Sequence, residues 1–203
     1  MIDLLPSATR PNHSQVMWRD IDGASLELCD LREGEYDDGN LLSCHVLLAR
    51  TGRPMEIHYR IETDERWRTV MVSVALRNMP GNQDGRLLLR SDGEGRWHFG
   101  EGDGAHAPAF DGMFDIDLGF TPATNLLPIR RLELDVGQSA RVGAVWLQFP
   151  ELQLRPFQQT YTRLTEDTYR YQSEGGFESE ITVVRRGLPV TYRDGWERIA
   201  QLP

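Results

Sequence analysis

Apolar and polar residues alternate along much of the chain. Met55, Ile57, Tyr59 and Ile61 fall on one side of a period of two, and Glu56, His58, Arg60 and Glu62 on the other. Val70, Val72, Val74 and Leu76 repeat the pattern. So do Phe114, Ile116, Leu118 and Phe120, with Asp115 and Asp117 opposite. Leu132, Leu134 and Val136 follow, then Val142, Ala144 and Trp146, then Phe177, Ile181 and Val183, and last Leu188, Val190 and Tyr192. Segments of this kind are half-buried strands. Turn residues separate them at Thr51-Gly52, Asn78 to Gly85, Asp92-Gly93, Gly175-Gly176, Arg186-Gly187 and Asp194-Gly195. Trp67, Val70, Met71 and Val74 also have helical spacing, but a valine-rich stretch with clean alternation favours a strand.

Many short strands with little helix predict an all-β protein, a curved antiparallel sheet that forms a barrel or half-barrel. The 203 residues suit one domain. Within it, Ile57 to Trp97 and Thr160 to Trp196 both pass through tyrosine-arginine and tryptophan or tyrosine strands, then an Asp-Gly turn and a tryptophan. Two duplicated halves, about 15–110 and 111–203, are therefore expected alongside the plainer reading that any meander of hairpins resembles itself.

Composition narrows the chemistry. Hydrophobic residues at 39% and charged residues at 26% are ordinary for a globular chain and argue against disorder. The formal charge of -9 repels phosphate backbones, so no nucleic-acid partner is expected. Lysine is absent, which removes Schiff-base and phosphate-loop lysines. The start, Met-Ile-Asp-Leu-Leu-Pro-Ser-Ala, does not read as a secretory signal, and no apolar run is long enough to span a bilayer. Cys29 and Cys44 have no metal-site spacing and read as reduced thiols of a cytoplasmic protein; in an oxidising compartment they could pair.

The most distinctive passage is Asp111 to Leu132, DGMFDIDLGFTPATNLLPIRRL. A strand runs into a loop stiffened by Pro122 and Pro128, and a strand is expected to resume at Ile129. Thr121, Thr124 and Asn125 offer hydroxyl and amide groups to a sugar or head group, or to the loop's own backbone. In a resumed strand, Arg130 shares a face with Leu132 and Leu134, at the rim of an apolar surface, where it needs a carboxylate or a ligand anion. Arg131 then points away, toward Glu133 and Asp135, as a surface residue.

This passage resembles a bacterial glycolipid-binding family. The residues that carry the likeness are Asp111-Gly112, Asp115, Asp117, Thr121-Pro122, Thr124-Asn125 and Leu127 to Leu132. FPELQLRPFQQTYTRL, YRYQS, the segment ending TYRDGWERI, and HYRIETDERWRT upstream are also similar. Phe120, Ala123 and Leu126 depart from the family pattern, as does PVTYRDGW, where a proline often follows the tyrosine. The resemblance implies a curved sheet similar to bacterial lipoprotein and lipid carriers, with an apolar interior. It also implies a binding protein rather than an enzyme.

Other constellations carry less. His98, Asp103, His106 and Asp111 flank a glycine-rich stretch without a rigid ligand frame, so no metal or other cofactor is expected. Asp115 and Asp117 could do acid-base work with His106, but an ion pair with a nearby arginine is the simpler reading. Trp67, Trp97, Trp146, Tyr161, Tyr169, Tyr171, Phe177 and Trp196 read as core or as pocket lining. Tyr169 and Tyr171, on one face, are the preferred lining pair. The expected ligand is a glycolipid or similar amphiphile, with its acyl part on an apolar β face and its head group near Thr121, Thr124, Asn125 and Arg130. An enzyme using Asp115 and Asp117, or an interaction module with a filled core, are the alternatives.

Overall fold

The computed structural model describes residues 12–36, 38–50, 52–79, 81, 84–100, 104–193 and 195–202. The N-terminal stretch, Thr51, Asp103, Asp194 and part of the Asn78–Gly85 turn lie outside the described residues. The first half of the chain forms β1 (His13–Asp20), β2 (Ser25–Tyr36), β3 (Gly39–Arg50), β4 (Arg53–Thr63), β5 (Thr69–Arg77), β6 (Gly85–Ser91), β7 (Trp97–Phe99) and β8 (Ala105–His106). The second half forms β9 (Asp115–Leu118), helix α1 (Leu126–Leu132), β10 (Ser139–Gln148), β11 (Gln153–Arg163), β12 (Thr168–Ser173), β13 (Glu178–Val183), β14 (Pro189–Tyr192) and β15 (Trp196–Leu202).

Among the described residues, fifteen strands join one sheet in the order β8-β7-β6-β5-β4-β3-β2-β1-β15-β14-β13-β12-β11-β10-β9. Every neighbouring pair is antiparallel except β9–β10, which is parallel. The chain therefore walks outward from β1 to one edge, crosses to the opposite edge at β9, and walks back until β15 lies beside β1. Eight residues separate β8 from β9, so the two edges must approach one another, and the sheet curls. It is not closed by a continuous ladder. Single contacts join the margins instead: the Thr69 N–H donates to the Phe114 carbonyl at 2.9 Å, the Trp97 indole to the Met113 carbonyl at 2.8 Å, and the Gly112 N–H to the Gly95 carbonyl at 3.0 Å. A Cβ on Gly95 would stand 3.0 Å from the Gly112 backbone, so this approach needs the glycine.

Curling buries the apolar phase of the strands. Trp18, Leu31, Leu42, Val46, Ile57, Ile61, Val72, Leu89 and Trp97 pack in one large core. The expected strand at residues 70–76 is β5. A second, smaller core holds Val142, Tyr161, Tyr169, Tyr171 and Ile181. Strands β9 and β10 lie between the two. Ile116, Leu118, Val145 and Leu147 face the large core, while Val142 faces the small one. Both faces of this pair are thus covered.

The region after the loop departs from expectation. Residues 126–132 form α1, not a strand, and Leu134 and Val136 lie in the connection that follows. Pro128 sits in the first helical turn, where no intrahelical N–H partner is required. Leu126, Leu127, Pro128 and Ile129 are all buried, with Leu126 and Leu127 in the large core and Ile129 in the small one. Glu133 ends the helix in the left-handed region. Successive helical residues diverge by about 100°, not the 180° of a strand, so Arg130 and Arg131 both find partners within the protein. Arg130 donates to Glu33 at 2.8 Å and to the Arg186 carbonyl at 3.1 Å, and its guanidinium lies 4.5 Å over the Trp67 ring. Arg131, expected on the surface, forks onto Asp115 with both carboxylate oxygens engaged, at 3.1 and 2.5 Å.

Asp115 is 1% exposed and Arg131 has 16% of its side chain in contact with solvent. Removing one member strands the other in a poor solvent, which typically costs about 3–5 kcal/mol. Arg131→Ala is therefore expected to lower the free energy of unfolding in a urea titration by an amount of that order, seen as a lower midpoint. The double variant Asp115→Leu with Arg131→Met should recover part of the loss. A wild-type midpoint for Arg131→Ala would show that the pair does not hold α1.

Candidate functional site

Strands β9 to β14 present one set of alternating residues toward a common cleft. Asp117 lies opposite Trp146, Ala144 opposite Phe157, and Tyr161 opposite Tyr171 in the ladders. Period two then places Asp117, Trp146, Phe157, Gln159, Tyr171 and Ser173 on the same face. The loop from Gly119 to Asn125 forms the other wall, and Trp196 of β15 closes one end. The resulting cleft has a volume of about 450 Å³. That lies within the roughly 300–1,000 Å³ of small-molecule sites.

Aromatic rings dominate its lining. Trp146 and Phe157 stack at 4.4 Å. The Tyr192 ring lies tilted to that of Tyr171, with centroids 6.1 Å apart, and stacks with Phe177 at a centroid distance of 6.2 Å. Phe177 is 48% exposed, so an apolar ring stands open at the cleft margin. The polar groups are few. Asp117 accepts a hydrogen bond from the Gln159 amide at 2.5 Å. Burial pushes its carboxyl up to about 6, and the Gln159 bond offsets part of that rise. Asn125 accepts from the Tyr161 hydroxyl at 2.9 Å and donates to the Pro122 carbonyl at 3.0 Å.

The six residues singled out from the sequence divide. Thr121, Asn125 and Tyr171 line this cleft. Thr124, in the same loop, is buried at 3% exposure and does not line the cleft. Arg130 and Tyr169 border a second, more polar cleft of about 810 Å³ beside the C-terminal end of α1. Glu133, Asp135, Glu166 and Asp167 face that space together with Arg163 and Arg185, so its field does not favour an anion. Asp115 and Asp117 do not form a free carboxylate pair, because Arg131 occupies Asp115. His106 stands on β8 beside Asp111, at 2.9 Å, and does not line the cleft. His98 faces His106 across the β7–β8 ladder, with ring centroids 5.5 Å apart, and Asp103 lies outside the described residues.

Sequence reasoning missed a buried polar cluster behind the loop. Glu27, on β2, is 0% exposed. It accepts hydrogen bonds on one oxygen from Tyr59 and from Thr121, the latter at 2.8 Å. Its other oxygen is buried without a partner. Burial pushes the Glu27 carboxyl up to about 8, against the lowering effect of the Tyr59 and Thr121 bonds. The cysteines lie beside it, directly opposite one another on β2 and β3, and are joined as a disulfide. The structure thus holds the paired form expected of an oxidising compartment, not the separate thiols expected of a cytoplasmic one. The signal was hidden by phase. In LELCDL, Leu26 and Leu28 are each 42% exposed while Glu27, Cys29 and Leu31 point inward. An apolar-inside rule assigns that stretch the opposite way. No helix among the described residues is long and apolar enough to cross a membrane.

Residues 15–198 match the family model described as "Putative glycolipid-binding". The crystal structure of a DUF1089 family protein from Pseudomonas aeruginosa is 32% identical, with a TM-score of 0.73, covering 97% of this chain and 100% of that one. A β-barrel-like protein of the domain of unknown function DUF1849 from Brucella abortus is 8% identical, with a TM-score of 0.53 over 93% of this chain and 96% of that one, and shows the fold alone. No curated protein matches.

Glu27 generates a pH dependence with a definite sign. Its unfolded value is near 4.5 and its folded value about 8. Between these the folded state holds a proton that the unfolded state has lost, so stability falls as pH rises through the window and stays low above it. The loss is on the order of a few kcal/mol. Glu27→Gln keeps a neutral acceptor for Tyr59 and Thr121 and does not titrate. Its urea midpoint is expected to exceed that of the wild type increasingly from pH 5 to pH 8. Parallel midpoint curves for the two proteins would refute the assignment.

Proposed function

We propose, from the premise that this chain belongs to the glycolipid-binding family, that the aromatic cleft between the Gly119–Asn125 loop and β10–β14 holds a glycolipid or similar amphiphile. The observation that carries this reading is the lining itself. Flat rings of Trp146, Phe157, Tyr171, Phe177 and Tyr192 surround a single carboxylate, Asp117. Aromatic faces pack against the C–H faces of sugars and against methylenes, and a carboxylate accepts hydroxyl hydrogen bonds. The cleft lies on the far side of β9 and β10 from the large core, and the ligand enters there. Binding rather than catalysis fits the cleft because, among the described residues that line it, Asp117 has neither a second free carboxylate nor a histidine beside it. A cytoplasmic location belongs to the same reading, and there the Cys29–Cys44 disulfide of the structure would be reduced.

Dodecyl maltoside below its micelle concentration is a suitable probe. Titration calorimetry should show one site per chain. Phe177→Ala, at an exposed position, should weaken binding by about 0.5–1.5 kcal/mol, or roughly two- to tenfold. Affinity should rise with pH through about 6, as Asp117 loses its proton and becomes an acceptor alone. Asp117→Asn should flatten that profile. Affinity unchanged in both variants would move the ligand out of this cleft.

A further inference from the structure

The buried cluster of Glu27, Cys29 and Cys44 is independent of the cleft reading. One carboxylate oxygen of Glu27 and the two sulfurs lie within 4.8 Å of one another, all from residues no more than 1% exposed. The ladder sets this arrangement. Cys29 and Cys44 are direct partners across β2 and β3, Cys44 pairs with Tyr59 on β4, and Glu27 stands two residues before Cys29 on the same face. Tyr59 and Thr121 hold one Glu27 oxygen, as outer partners hold a ligating carboxylate. The other oxygen is enclosed and unpartnered, an uncommon state for a buried acceptor.

We propose that this cluster, with its cysteines in the dithiol state, binds one soft divalent cation such as zinc. Two thiolates and a carboxylate suit zinc, and zinc–sulfur bonds of about 2.3 Å with tetrahedral angles put the two sulfurs roughly 3.8 Å apart. That separation is within reach of the opposed strand pair, whose Cα atoms are 4.1 Å apart. The disulfide and metal forms exclude each other. A phosphine or dithiol reductant breaks the S–S bond, supplies two electrons and is itself oxidised, while the sulfurs take up two protons. The cation then displaces both thiol protons, and any proton on Glu27, to solvent. The cluster is thus a metal site in a reducing compartment and a cross-link in an oxidising one.

The full chain tests this directly. Protein is unfolded in urea, reduced with a phosphine, and refolded with cobalt(II) present, so that burial of the site cannot prevent loading. One equivalent of cobalt with a thiolate-to-cobalt charge-transfer band is expected, and none for the disulfide form. Zinc should raise the urea midpoint of the reduced protein, because it binds the folded state. Glu27→Gln should keep a thiolate band but bind more weakly by at least the roughly 10–100-fold that loss of an outer partner costs. Cys29→Ser should remove half of the thiolate intensity. Two outcomes overturn the proposal. One is a refolded, reduced wild type without the charge-transfer band. The other is a zinc response of the urea midpoint equally large in Cys29→Ser and in wild type.

Discussion

A sheet of fifteen strands with apolar residues at every second position cannot stay open. Its apolar face must be hidden from water, and here it is hidden mostly against itself. The order of strands decides how. Because the chain leaves one edge at β8 and re-enters at the other edge at β9, only a curled sheet lets an eight-residue connection succeed. Closure by a full ladder is not needed. The margins touch at a few backbone contacts, and β9 and β10 fold inward as a wall with apolar residues on both faces. A wall packed on both faces leaves its polar residues little solvent: Asp115 is buried, and Asp117 reaches only the cleft. Asp115 and Asp117 are the consequence, and each is answered from within, one by Arg131 and the other by Gln159.

Helix α1 makes that answer available. It brings Arg131 to Asp115 and Arg130 to Glu33 from adjacent positions. The Arg130 side chain also covers Trp67, which holds a left-handed backbone conformation at φ 63° in the turn between β4 and β5. A bulky residue there is strained, and such strain persists only where surroundings impose it. Gly187 shows how tightly the helix is seated. It has φ 87°, and a Cβ there would come within 2.8 Å of Leu126 and 3.1 Å of Arg130. The two arginines thus tie the helix to opposite parts of the barrel.

Most strands were legible because one face of each is solvated, and period-two alternation reports that asymmetry. Three features were not, each for a physical reason. The stretch after Pro128 alternates by accident: Arg130, Leu132 and Leu134 mimic a strand while Leu126, Leu127 and Ile129 pack a short buried helix. In β2 the apolar and polar phases are exchanged, since Glu27 is held inside by Tyr59 and Thr121 from residues 32 and 94 positions away. No local pattern carries that information. The cysteines are fifteen residues apart, a separation without meaning until a hairpin register sets them opposite. The cleft was half visible. Thr121, Asn125 and Tyr171 line it, but its carboxylate became distinct from Asp115 only when Arg131 was placed.

Hydrogen-bond accounting within the cleft separates groups that look equivalent in the sequence. The Thr121 hydroxyl stands within hydrogen-bond distance of Glu27, Tyr59 and the Ala123 N–H, at 2.8, 3.0 and 2.9 Å. A hydroxyl has one proton and two lone pairs, so little capacity remains for a ligand. Asn125 spends its carbonyl on Tyr161 and one amide proton on Pro122, leaving one N–H and a second lone pair. Threonine and asparagine in this loop thus serve first to hold the loop against the barrel. Asp117 differs. Its hydrogen bond from Gln159 uses one of about four acceptor sites, and its neighbours on the cleft face are mostly aromatic rings. A carboxylate with unspent acceptors, set among aromatic faces, is the kind of group that distinguishes a hydroxylated head group from a plain hydrocarbon. Discrimination of that kind follows because a ligand without donors would leave those acceptors buried and unpaired.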